Sequence, residues 1–286
     1  MTALYRNYAA DELEDQYVLS LKFDDVGALL SRWKALNADF LGRVSAERDL
    51  AYGPSDGERL DLFRPAGPNA PVLVFIHGGY WTWLDKDIYA FALEPLVAAG
   101  ALVANLNYTL CPNITMDDLV DQVRRACAWL WRHAGEYGGD PNRITVTGHS
   151  AGGHLTAMMA ATDWPAFEDG LPRDLVKSAV PVSGLMDLEP LRLSSLNEHV
   201  RMSPETARKN SPQFSRPTTA LPVSVVVGAG ETEEFKRQSQ EFTEVWRDAA
   251  GSIEYLETPG HHMAAIESMT LPGNLLTTTL LRHLGL

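Results

Sequence analysis

Cysteines, basic residues and long apolar runs are scarce in this sequence, and each shortage closes off a class of protein. Two cysteines, Cys111 and Cys127, are too few for a disulfide framework and lack metal-ligand spacing. Cys127 falls in step with Leu119, Val123, Ala126 and Leu130 on one helical face, as a buried core thiol does, whereas Cys111 sits in a loop and its role stays open. Lysine and arginine number 24 against 37 acids, a formal net charge of −13. That balance argues against nucleic acid as a partner, because such binding is dominated by cationic contacts to phosphate. No apolar run approaches the ~20 residues needed to span a bilayer, so no membrane partner is expected. There is no His-Glu-x-x-His, no paired cysteine cluster and no phosphate-binding glycine loop followed by Lys and Ser or Thr, so neither a metal nor an organic cofactor is implied. The first residues carry acids at Asp11, Glu12, Glu14 and Asp15 and no basic cap ahead of an apolar stretch, so no signal peptide is expected and the cytoplasm is the expected compartment.

What is present is the composition of a soluble globular protein, 45% hydrophobic and 21% charged over 286 residues, an ordinary size for one domain spanning 1–286. The stretch 1–42 is expected to form a helical N-terminal cap: Val26, Leu29, Leu30, Trp33 and Leu36 repeat at three and four, ending near Asn37. Strand-like runs follow at Val44–Tyr52, Leu60–Phe63, Val72–Ile76, Leu102–Asn107, Ile144–Thr147, Ala179–Val182, Val223–Val227 and Ile253–Leu256. The runs from Val72, Leu102, Ile144 and Val223 are too apolar for strands wetted on one face, which predicts central strands covered by helices on both faces, an α/β sheet. Thr115-Met-Asp-Asp118 opens a helix, Ala99-Gly100 closes one, and Asp140-Pro141-Asn142 is a turn leading into the strand before Ser150. The Pro- and Ser-rich stretch 163–222 interrupts the alternation and is expected to form excursions near the active site.

The chemistry centres on Gly148-His149-Ser150-Ala151-Gly152. A serine hydroxyl is a weak nucleophile near neutral pH; it needs a base, an acid to orient the base, and donors for the oxyanion that forms. Small residues on either side of Ser150 let the backbone make a sharp strand-to-helix turn that lifts the hydroxyl out of the sheet, and a strand (Ile144–Thr147) and a small-residue helix (Ala151–Ala161) flank it. Gly78 and Gly79, in His77-Gly-Gly-Tyr-Trp81 after Val72–Ile76, are positioned to bring backbone N–H groups to an oxyanion, together with the N–H of Ala151. His77 reads as a loop brace. Tyr80 and Trp81, with Trp83, are candidate pocket walls. The base should follow the last strand, where His261 and His262 are equally placed by position. The acid should leave the strand Val223–Val227, where Gly228-Ala-Gly-Glu231 supplies Glu231; Asp187 is a rival.

These motifs resemble the arylformamidase (kynurenine formamidase) branch of the α/β hydrolases, close to the esterase/lipase group. The resemblance runs through Leu13-Glu-Asp-Gln-Tyr17, Phe75-Ile-His-Gly-Gly-Tyr-Trp81, Gly148-His-Ser-Ala-Gly-Gly-His-Leu155, Val182-Ser-Gly-Leu-Met-Asp-Leu-Glu-Pro-Leu191, Asn210-Ser-Pro-Gln213 and Glu234-Phe-Lys-Arg-Gln-Ser239. It implies the α/β-hydrolase fold, a mostly parallel eight-stranded sheet flanked by helices, and a catalytic histidine at His262 rather than His261. The chain departs from the family pattern in having Glu231 where aspartate is usual and Met263 where phenylalanine commonly follows the histidine. The implied activity is hydrolysis of an N-formyl aryl amide or carboxylic ester through an acyl-enzyme, on a small-molecule substrate. A carboxylesterase of short-chain or aryl esters is the alternative, a non-catalytic binding protein of the same fold a more remote one, and a homodimer is left open.

Overall fold

A computed structural model describes residues 3–18 and 26–286. Eight strands, β1 (Ala46–Ala51), β2 (Arg59–Phe63), β3 (Ala70–Ile76), β4 (Leu102–Leu106), β5 (Gly139–His149), β6 (Val176–Val182), β7 (Pro222–Gly228) and β8 (Ser252–Thr258), form one sheet in the order β1-β2-β4-β3-β5-β6-β7-β8. β2 runs antiparallel to both its neighbours, and all pairings from β4 across to β8 are parallel. This is the α/β-hydrolase fold that the motifs imply.

The alternation of side chains along a strand explains why the central strands are apolar throughout. In β3, Val72, Val74 and Ile76 enter one core with Leu119 and Val123 of the helix Met116–His133, Leu155 of the helix Ala151–Ala160 and Phe235 of the helix Glu233–Trp246. Leu73 and Phe75 enter the other, with Trp33 and Phe40 of α2 (Val26–Arg43), Phe91, and Leu276 and Leu280 of the helix Leu275–Leu284. Neither face of the middle of the sheet is left to water.

All eight expected strands are present with ends shifted by a few residues. Two local readings change. The helix expected to end near Asn37 continues to Arg43, because the Asn37 side chain is buried and donates to the Trp33 and Ile88 carbonyls (2.9 and 2.7 Å) instead of capping the helix, and Phe40 carries the apolar face onward. The Asp140-Pro-Asn142 turn survives only as a local Asn142 N–H to Asp140 Oδ1 bond of 2.9 Å inside β5, where the pairing with β3 shifts register near Ala70–Val72.

The expected N-terminal cap is helical at α1 (Ala10–Tyr17) and α2; its residues 1, 2 and 19–25 lie outside the described residues. α1 and the residues before it are tied down by polar bonds: the buried Tyr17 hydroxyl donates to Glu234 at 2.7 Å, the Tyr5 hydroxyl ahead of the helix to Asp187 at 2.9 Å, and Ser195 Oγ to Glu14 at 2.7 Å. The stretch 163–222 contains β6, four short α-helices, Trp164–Phe167, Glu189–Arg192, Asn197–Val200 and Pro204–Lys209, and a 3₁₀ turn at Pro212–Phe214. No helix among the described residues is long and apolar enough to cross a membrane.

Candidate active site

β5 ends at His149 and the next helix begins at Ala151, so Ser150 carries the whole change of direction, at φ 59° and ψ −117°. That backbone is unfavourable for a residue with a side chain and persists only where the surroundings hold it. Here the Ser150 N–H donates to the Val182 carbonyl of β6 (2.9 Å), and its carbonyl accepts from His154 N–H (3.0 Å). The flanking glycines are required by close approach: a Cβ on Gly152 would stand 2.0 Å from the Ile76 carbonyl oxygen, and one on Gly148 would stand 2.5 Å from the Gly152 oxygen. Ala151 is the first residue of its helix, so its N–H has no partner within that helix and carries part of the positive end of the helix dipole.

The loop after β3 lies directly against this elbow. A Cβ on Gly78 would come within 3.1 Å of Ser150 Cβ and 2.8 Å of both the His149 carbonyl oxygen and the Tyr89 hydroxyl, so Gly78 packs directly against the elbow. Gly79 reaches the cavity at φ +115°, where a Cβ would meet the Trp83 carbonyl oxygen at 2.0 Å; its own carbonyl accepts from the N–H groups of Thr82 (3.0 Å) and Trp83 (3.1 Å). His77 is buried and stacked on Tyr108, with ring centroids 4.2 Å apart, as a bracing residue.

Two further turns bring the acid and the histidine together. After β7, Gly228-Ala-Gly-Glu231 curls so that Glu231 N–H donates to the Gly228 carbonyl (3.0 Å). After β8, Pro259-Gly-His261 turns into the helix His262–Glu267, and Gly230 N–H bonds to the Gly260 carbonyl (2.8 Å), joining the two loops. His262 Nδ1 lies 2.7 Å from Glu231 Oε2, with both side chains buried. A carboxylate oxygen accepts from the Nδ1–H of His262, so in the neutral ring the lone pair is on Nε2. The other carboxylate oxygen, Oε1, accepts from the Ser183 hydroxyl and, at 3.1 Å, from Gly228 N–H. His261 is exposed at the start of the same helix. The Asp187 carboxylate is occupied elsewhere, accepting from the Tyr5 hydroxyl (2.9 Å) and Glu189 N–H (3.0 Å).

Ser150 and His262 line one cavity of about 290 Å³. Val26 and Leu29 of α2, Val18 beside α1, Leu84, Leu196 and Met263 give it apolar walls, so both the N-terminal cap and the 163–222 stretch contribute. Tyr80 and Trp83 line it too. Trp81 does not: consecutive left-handed residues, Tyr80 (φ 47°) and Trp81 (φ 60°), turn the indole into the core, where it packs edge-on against His154 at 5.1 Å. Among the described residues no group of His, Cys, Asp and Glu could hold a metal ion.

His149, the variable residue of the elbow, has a role that its motif does not signal. It is buried, and its ring packs on that of His262 at 4.4 Å. Its Nε2–H donates to the His262 carbonyl (2.9 Å), which leaves Nδ1 as acceptor for the Tyr89 hydroxyl at 3.4 Å. Burial, and then the neighbouring His262, hold His149 far below the ordinary histidine range, so it adds no charge beside the site. His77 and His154 are likewise pushed down to about 4 by burial. These three histidines bind protons more readily when the chain is unfolded, so their contribution to stability is complete above about pH 6.5 and is lost as the pH falls towards 4. Urea midpoints are therefore expected to drop steadily between pH 7 and pH 5; an unchanged midpoint over that range would contradict neutral burial of the three rings.

The BD-FAE family model matches residues 60–227 of this chain. The kynurenine formamidase of Danio rerio is 32% identical, over 98% of this chain and 98% of its own length. Esterase LipQ of Mycobacterium tuberculosis is 31% identical over 83% of this chain and 61% of its own. Among solved structures, one from Silicibacter sp. TM1040 described as a candidate thioesterase superposes with a TM-score of 0.81 at 31% identity, covering 93% of this chain and 98% of the other. An esterase of Pyrobaculum calidifontis, at 18% identity and a TM-score of 0.73 over 94% of this chain and 97% of its own, shares the fold.

Proposed function

Since the chain belongs to the BD-FAE family and is a hydrolase of the α/β-hydrolase arylformamidase and esterase branch, we propose that Ser150, His262 and Glu231 are its nucleophile, base and acid. The observation that carries this reading is the 2.7 Å bond from the buried His262 ring to Glu231, with the same histidine and Ser150 facing one cavity. His262 Nε2 takes the Ser150 hydroxyl proton as Oγ attacks the acyl carbon, and the oxyanion is held by backbone N–H groups of the Gly78-Gly79 segment, Gly79 foremost, and of Ala151. The imidazolium, stabilised by Glu231, then protonates the departing amine or alcohol. Water, activated by the same histidine, releases the acid from Ser150.

The substrate is an N-formyl aryl amide, of which N-formylkynurenine is the one to test; the full-length likeness to a kynurenine formamidase supports it. The apolar walls around Ser150 favour a second reading, a short or aryl ester. Comparison of kcat/KM on N-formylkynurenine and on nitrophenyl acetate separates the two. We expect the formamide to lead by about tenfold or more, at least the low end of the discrimination a pocket makes between close substrates; a lead of that size for the ester would overturn the formamidase assignment and install the esterase one. We place the enzyme in the cytoplasm, with a homodimer as the assembly for sedimentation to examine.

A further inference from the structure

Glu231 carries its carboxylate at the end of a flexible two-methylene side chain, and a carboxylate that swings cannot hold an imidazole in one orientation. Something must restrain it. We propose that Ser183 is a positioning residue for the acid: its hydroxyl pins Glu231 Oε1, so that Oε2 alone is presented to His262. This rests on the assignment of Glu231 and His262 made above.

Three observations converge on Ser183. It is fully buried, and its hydroxyl donates to Glu231 Oε1, the oxygen that also takes the Gly228 N–H at 3.1 Å, while Oε2 is the oxygen 2.7 Å from His262 Nδ1. Its backbone is left-handed, at φ +50°, although it has a side chain and is followed by Gly184. A serine held in that region is an outlier of the kind that collects at functional sites, and glycine would adopt the same backbone freely. Finally, Ser183 N–H donates to the Val226 carbonyl at 2.7 Å, tying the end of β6 to β7, the strand whose loop delivers Glu231. The hydroxyl is thus held from the same strand that carries the group it restrains. With Oε1 occupied by one side-chain and one backbone donor, rotation about the Glu231 side chain breaks both bonds, and the geometry at Nδ1 is set before substrate arrives.

Ser183→Gly separates positioning from structural support, since it removes the hydroxyl while easing the left-handed backbone. We expect its melting temperature to match or exceed the parent's, its kcat to fall about 10- to 50-fold, as for the loss of a bond to a charged group, and KM to stay within about twofold. Ser183→Ala, which keeps a Cβ, is expected to lose kcat to the same degree, with rates normalised to active sites titrated by fluorophosphonate. The same Ser183→Gly change made in a Glu231→Gln background is expected to cost less than about threefold, because the hydroxyl acts through the carboxylate. Ser183→Gly retaining kcat within about twofold, or losing as much in the Glu231→Gln background as in the parent, would overturn the proposal while leaving Glu231 as the acid, provided Glu231→Gln is itself impaired. If Glu231→Gln alone keeps full activity, the acid assignment fails and the role of Ser183 falls with it.

Discussion

Ser150→Ala is expected to lose turnover on esters and formamides alike, by about 10⁶-fold in kcat, the size of loss seen when a serine nucleophile is deleted from a working triad. The substitution removes one oxygen from a residue that is 3% exposed and already held at φ 59°, so the elbow backbone and the fold are expected to persist and binding of substrate to change little. Residual catalysis above water, about 10³- to 10⁴-fold, should remain from the oxyanion donors and the cavity. Two readouts check this: steady-state kinetics on both substrate classes, and loss of fluorophosphonate labelling with an unaltered circular dichroism spectrum. A variant that keeps parental rates on either substrate class would remove Ser150 from the mechanism for that class.

The second large effect separates two adjacent histidines. His262→Ala is expected to cost kcat nearly as much as Ser150→Ala, and the double substitution to be no worse than either single one, because base and nucleophile act as a unit. His261→Ala is expected to stay within about threefold of the parent. The physical difference is local: His262 enters its helix with its ring buried on Glu231, on His149 and against Phe235 at 4.8 Å, while His261 precedes the helix in extended backbone and is exposed. Measurement of the Ser150 acylation burst in each variant decides the matter. Loss of the burst in His261→Ala with its retention in His262→Ala would reverse the assignment.

Much of this architecture is legible in the chain. Val72 to Ile76 and Val223 to Val227 read as doubly covered strands because both faces of the central sheet are buried, which demands apolar residues at every position instead of every second one. The elbow is legible because it is a local object. Gly148 and Gly152 are needed where backbone passes within 2.5 Å of where their Cβ atoms would lie, and both lie within two residues of the serine they serve. The order of serine, acid and histidine is likewise set by the order of the strands that end beside one another.

Other features depend on contacts between segments far apart in sequence, and no local pattern encodes them. Nothing in His261-His262 says which ring reaches a carboxylate 31 residues away; the start of a helix and the joining of two loops through Gly230 and Gly260 decide it. Trp81 looks like a pocket wall beside Tyr80, yet two successive left-handed residues turn it inward onto His154. Asn37 reads as a helix end until its amide is seen donating to Ile88, 51 residues further on. Ser183 carries no catalytic signature of its own, being one serine in the run from Val182 to Leu191, and its meaning comes from β6 lying beside β7. By itself, then, the sequence determined the sheet, its covering helices and the serine turn, because periodicity and close backbone packing act over a few residues. Only the tertiary structure decided what restrains that carboxylate and showed the His262 ring against it, a pairing that position along the chain left open and the family resemblance alone implied, because such contacts depend on where distant strand ends come to lie.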